Sequence, residues 1–70
     1  MNVAEKIRLY RKRTNLTQEK LAELIGVSVM TVKRWEWNKR VPRVNDIKKL
    51  AGALGTTTDY LLNGEPEQSE

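Results

Sequence analysis

The stretch LTQEKLAELIGVSVMTVKRWEWN, residues 16–38, decides the fold. Thr17 suits a helix N-cap, Gln18 and Glu19 fall in the first turn, and Leu21, Ala22 and Ile25 then share one side. Lys20 stands where a full capping box would carry an acid, so only half of that motif is present. Gly26 takes positive φ at little cost and ends this helix. Val27 is apolar and Ser28 can cap another helix, predicted over about Val29 to Trp37, which leaves only about three residues between the two. So short a link forces a steep crossing, and the small side chain of Ala22 lies where the two helices must approach. Asn38, which tolerates the left-handed region, closes the second of them.

The same reading extends in both directions. Asn2 followed by Glu5 is a capping pattern, and Val3, Ile7 and Tyr10 recur at helical spacing, which predicts a first helix to about Arg13. Thr14 and Asn15 break it, and Leu16 serves as an apolar anchor before the next cap. Beyond the loop marked by Pro42, Ile47, Leu50, Ala51 and Leu54 lie on one face of a helix predicted from Val44 to Leu54 and ended by Gly55. A short fifth helix starts near Thr57, with Asp59 in its first turn and Leu61 and Leu62 placed to close the core. The expected fold is thus all-α, with five helices in one domain over residues 1–64. Residues 65–70 offer nothing apolar to bury and are expected to form a disordered acidic tail.

Composition narrows the chemistry. A chain of 70 residues supports one modest core, since so small a domain buries only about 60% of its unfolded surface. It contains no cysteine and no histidine, so there is no disulfide, thiolate or imidazole, and neither a catalytic constellation nor a metal or cofactor site is expected. The sequence lacks both an apolar run of about 20 residues and a secretory signal, so the expected location is the cytoplasm, without membrane contact. Thirteen Lys and Arg stand against nine Asp and Glu, and three of those acids (Glu65, Glu67 and Glu70) belong to the tail. Between Lys33 and Lys49 there are seven bases and only two acids, Glu36 and Asp46. A field of that sign draws polyanions.

The third helix sharpens this. At about 100° per residue, Val32 and Trp35 define its inward side, and the opposite side collects Met30, Lys33, Arg34 and Trp37, with Val29 at its edge. A helix fits the DNA major groove, where arginine or lysine pairs with guanine and small apolar groups meet the thymine methyl. Val29, Met30, Lys33 and Arg34 are therefore the candidate base contacts, Arg34 first among them. The competing reading of Lys33 and Arg34 is a solvated basic face. It leaves unexplained two adjacent apolar residues, Val29 and Met30, on the surface at the start of a basic helix.

Residues 16–62 resemble the Cro/C1-type helix-turn-helix family of lambdoid phage repressors and their bacterial relatives. The matching stretches are L-T-Q-E-K-L-A at 16–22, G-V-S at 26–28, T-V-K-R-W-E at 31–36 and A-L-G at 53–55, followed by D-Y-L-L-N-G at 59–64. The resemblance implies a lambda-repressor-like bundle of five helices whose third is the recognition helix. It also implies a phosphate contact for Gln18 and a structural ion pair between Arg11 and Glu36. The expected DNA-backbone set is Gln18, Ser28, Thr31, Asn38, Lys39, Arg40 and Arg43. Two positions depart from the family pattern: Trp37-Asn38 replaces a small polar residue and glycine, and Arg43 replaces a serine or threonine cap. Trp37 can pack on sugar-phosphate, meet a dimer neighbour or cover the core, and the large area an indole buries favours packing.

A lone unit offers few base contacts, and the family commonly binds as two-fold dimers. The expected partners are a double-stranded DNA operator and a second copy of the chain, with no small-molecule ligand. Thr58, Tyr60 and Leu61 are the candidate dimer residues, Tyr60 being equally suited to the core. A different role on the same fold, that of an antitoxin or adaptor whose main partner is a protein, is the alternative.

Overall fold

Each helix start among the described residues is set by a side chain within a few residues of it. The structure, a computed structural model, describes residues 2–63 and contains five helices among them: α1 (Val3–Arg13), α2 (Gln18–Ile25), α3 (Val29–Glu36), α4 (Val44–Leu54) and α5 (Thr58–Asn63). Asn2 Oδ1 accepts from the Glu5 N–H at 2.9 Å while Glu5 Oε1 accepts from the Asn2 N–H at 3.2 Å, a complete capping box for α1. Thr17 Oγ1 accepts from the Lys20 N–H at 2.9 Å, and Ser28 Oγ from the Thr31 N–H at 3.1 Å, which starts α2 and α3. Thr57 Oγ1 does the same for α5 through the Tyr60 N–H at 3.0 Å. Gly26, at φ 78°, ends α2, and its N–H and that of Val27 both reach the Ala22 carbonyl. Asn38 follows α3 at φ 62°, the left-handed conformation that asparagine tolerates.

The apolar faces of all five helices meet in one core. Ile7 of α1, Leu21, Ala22 and Ile25 of α2, and Val32 and Trp35 of α3 pack with Ile47, Leu50, Ala51 and Leu54 of α4 and with Tyr60 and Leu61 of α5. Ala22 is buried, as a close α2–α3 corner requires. Val3, Tyr10, Leu16 and Val27 lie half-buried against this core. The packing holds α3 on one side of the molecule and leaves its outward face open.

Three expectations need correction. Helix α3 ends at Glu36, with Trp37 as its cap residue, because the chain turns at Asn38 to return the Lys39 N–H to the Arg34 carbonyl at 2.9 Å. Trp37 does not pack over the core: it is 58% exposed, and Trp35 fills the inward position. Leu62 is 54% exposed, since only one side of α5 faces inward and Tyr60 and Leu61 occupy it. The boundary at 64 and the tail at 65–70 lie outside the described residues.

A contact absent from the sequence reading joins the ends of the domain. Lys6 is buried, and its Nζ donates to the carbonyls of Tyr60 at 3.0 Å and Leu61 at 2.9 Å while lying 5.5 Å from the Tyr60 ring centre. These carbonyls belong to the last turn of α5, where no further helical N–H is available among the described residues, so the ammonium satisfies them and favours the negative end of the helix dipole. Lys6 falls on the Val3–Ile7–Tyr10 stripe of α1, the one pointer to its burial that the sequence offers.

Candidate nucleic-acid interface

The outward face of α3 rests on a buried polar junction. Glu36, the last residue of α3, has a side chain only 1% exposed, and its carboxylate receives Arg11 Nε at 2.6 Å and Nη2 at 3.1 Å. Gln18 Nε2 donates to the same carboxylate at 3.1 Å, so one acid ties α3 to both α1 and α2. Arg11 Nη1 also donates to the Leu16 carbonyl at 2.9 Å, which fixes the turn between α1 and α2. Arg8 Nη1 donates to the Glu36 carbonyl at 2.6 Å, a contact that the sequence reading missed. Charge-assisted bonds of this kind hold direction as well as distance. The junction therefore sets the angle at which α3 is presented.

On that face Met30 is 41% exposed and Arg34 is exposed, with Lys33 half-buried beside them. Val29 is half-buried and packs against the core, so its free surface is smaller than that of Met30. Ser28 is exposed and Thr31 half-buried, with their hydroxyls 2.9 Å apart. One hydroxyl hydrogen is used within that pair, and the other remains for an acceptor outside. Gln18 is half-buried at the first position of α2, where backbone N–H groups have no intrahelical partner. Its bond to Glu36 fixes the direction of the amide.

Past α3, the Arg34 carbonyl accepts the N–H groups of both Lys39, at 2.9 Å, and Arg40, at 3.3 Å. This folds the loop back so that Asn38, Lys39 and Arg40, all exposed, stay beside the end of the helix. Arg43 is exposed as the N-cap of α4, and Asp46 takes over the capping bond by accepting the Arg43 N–H at 3.3 Å. The structure thus gathers the cations Arg34, Lys39 and Arg40 around the end of one helix. Among the described residues, no cluster of three or more acidic side chains is arranged to hold a metal ion, and no helix is long and apolar enough to cross a membrane.

The expected dimer set does not survive intact. Leu61 is fully buried and Tyr60 nearly so, its ring 5.1 Å from that of Tyr10, because the inward side of α5 needs both to seal the core. Thr58 is half-buried, and the exposed apolar side chain of this helix is Leu62.

Comparison with known proteins agrees with this geometry. A family model described as helix-turn-helix matches residues 7–61. The HTH-type transcriptional activator BcrR of Enterococcus faecalis is 38% identical over 65 residues, covering 93% of this chain and 32% of that protein. Repressor protein C2 of Salmonella phage P22 is 33% identical over 67 residues, covering 96% of this chain and 31% of that protein. The chain therefore spans about a third of the length of these two relatives. Among solved structures, the P22 c2 repressor in complex with synthetic operator 9T superposes with a TM-score of 0.88 at 32% identity, over 93% of this chain and 98% of that one.

Proposed function

The chain belongs to the helix-turn-helix family, and from that premise we propose that it is a sequence-specific double-stranded DNA-binding regulator of transcription. It represses by occupying a palindromic operator as a dimer. The observation that carries this reading is the pairing of an exposed Met30–Arg34 face on α3 with the buried Arg11–Glu36–Gln18 junction that aims it. A solvated basic helix has no need of a fixed angle. The likeness to a repressor solved on its operator supports the same conclusion.

In this reading Arg34 and Lys33 donate to base edges, and Met30 with Val29 meets thymine methyl groups. Gln18, the Ser28–Thr31 hydroxyl pair, Asn38, Lys39, Arg40 and Arg43 bind phosphates and set register. Thr58, beside Leu62, is the part of α5 left to meet a second copy. Such a role places the protein with its DNA in the cytoplasm and asks nothing of a cofactor.

Two variants test the division of labour. Arg34→Ala is expected to weaken operator binding by about 1–3 kcal/mol with little change on scrambled DNA, whereas Arg40→Ala weakens both by similar factors and lowers the salt slope by about one. Equal losses on both duplexes for Arg34→Ala would remove it from the base-reading set.

A further inference from the structure

Trp37 is the largest exposed apolar side chain of the described domain. Its backbone N–H returns to the Lys33 carbonyl at 2.9 Å, yet its indole makes no hydrogen bond or ring contact among the described residues. Lys33, Arg34, Lys39, Arg40 and Arg43 flank it in sequence, and the one acid between Lys33 and Arg43 is Glu36, turned inward to Arg11. An indole more than half exposed amid cations adds little to folding for its size. Aromatic groups set among bases are the chemistry that holds nucleic acid, where rings pack on sugars and bases while cations bind phosphate.

Helix geometry places it more closely. Trp37 follows Lys33 by four residues, Arg34 by three and Met30 by seven, so all four lie along one face, with Trp37 about 10 Å from Met30 at a rise of about 1.5 Å per residue. The major groove is about 12 Å wide. With Met30 against base edges, Trp37 reaches the rim, where the sugar-phosphate chain runs. Docking a second copy on the same patch would bring two sets of these cations together, a like-charge cost that DNA reverses into attraction.

We propose that Trp37 is a DNA-backbone contact: the indole packs on a deoxyribose at the groove rim, and Nε1–H donates to an adjacent phosphate oxygen. This rests on the DNA-binding reading above. It adds affinity with little regard to sequence, unlike Arg34.

The test follows tryptophan emission and the anisotropy of a dye-labelled duplex in one titration. Trp35 is buried, so a change in emission reports mainly Trp37. The probes are a 20-base-pair duplex of arbitrary sequence at low salt and a duplex selected for tight binding, with wild type, Trp37→Ala and Trp37→Phe as proteins. The wild-type emission is expected to shift as anisotropy rises on both duplexes. Trp37→Ala, unfolding at the wild-type urea midpoint, should bind both about five- to a hundred-fold more weakly, with Trp37→Phe between. Rising anisotropy with unmoved emission and an unaltered Trp37→Ala affinity overturns this contact and leaves the DNA reading standing. Anisotropy that never rises overturns both. An emission shift that follows protein concentration without DNA assigns the indole to a second copy and overturns the proposal.

Discussion

Removing one partner of the Arg11–Glu36 junction should cost more than its hydrogen bonds alone suggest. Arg11→Met leaves a carboxylate that is 1% exposed with only the Gln18 amide as a donor from the junction, and it also strips the Leu16 carbonyl of a partner. Breaking a buried pair in this way costs about 3–5 kcal/mol. A domain of this size has about 4–10 kcal/mol of stability in all, so a third or more should go. Glu36→Gln is milder, about 2 kcal/mol, because an acceptor survives and Arg11 keeps the Leu16 carbonyl and a route to water through its 13% exposed side chain. The double variant leaves neither charge stranded. It should therefore lose less than the sum of the two single variants, by about 1–3 kcal/mol. Urea unfolding followed by far-ultraviolet circular dichroism and by Trp35 emission measures all three. Additivity within about 0.5 kcal/mol, or a loss below about 1 kcal/mol for Arg11→Met, would refute the account of the junction as a coupled, buried unit.

Lys6→Met removes the donor that serves the Tyr60 and Leu61 carbonyls and should cost about 2–3 kcal/mol, with the N–H groups of Leu61, Leu62 and Asn63 exchanging with solvent faster relative to those of α2. Unchanged exchange in α5 would mean that the helix is held by Leu61 packing alone. At Asn38, φ 62° predicts that Asn38→Gly stays within about 0.5 kcal/mol of wild type while Asn38→Val loses about 1–2 kcal/mol in the same urea assay. Equal midpoints for the two would show that the turn relaxes. Gln18→Ala is expected to weaken binding to operator and scrambled duplex by similar factors in a fluorescence titration. A changed base preference would instead place Gln18 in the readout.

The helices were legible because each start and stop is local chemistry. Asn2 with Glu5, Thr17, Gly26, Ser28, Asn38, Gly55 and Thr57 act on groups within a few residues of themselves. The core followed from spacing for the same reason. Side-chain destinations across the chain were harder to read. Lys6 crosses 54 residues to reach α5, and Arg8 bonds to a backbone carbonyl that no periodicity reveals. Leu61 and Leu62 are identical in type, and only the position of α5 against α1 and α4 decides which is buried. Trp37 was misplaced because burial of an indole is favourable wherever room exists, and Trp35 had already taken the room.

The most direct test of the DNA reading is selection of bound duplexes from a random library at moderate salt, with the winner then titrated across salt concentrations against a scrambled duplex. The account predicts an enriched inverted repeat with half-site centres about 10 base pairs apart, bound far more tightly than the scrambled duplex at every salt concentration. No enrichment, with weak binding to both duplexes that falls equally steeply with salt, would show charge without readout and would contradict the assignment of α3 as a recognition helix.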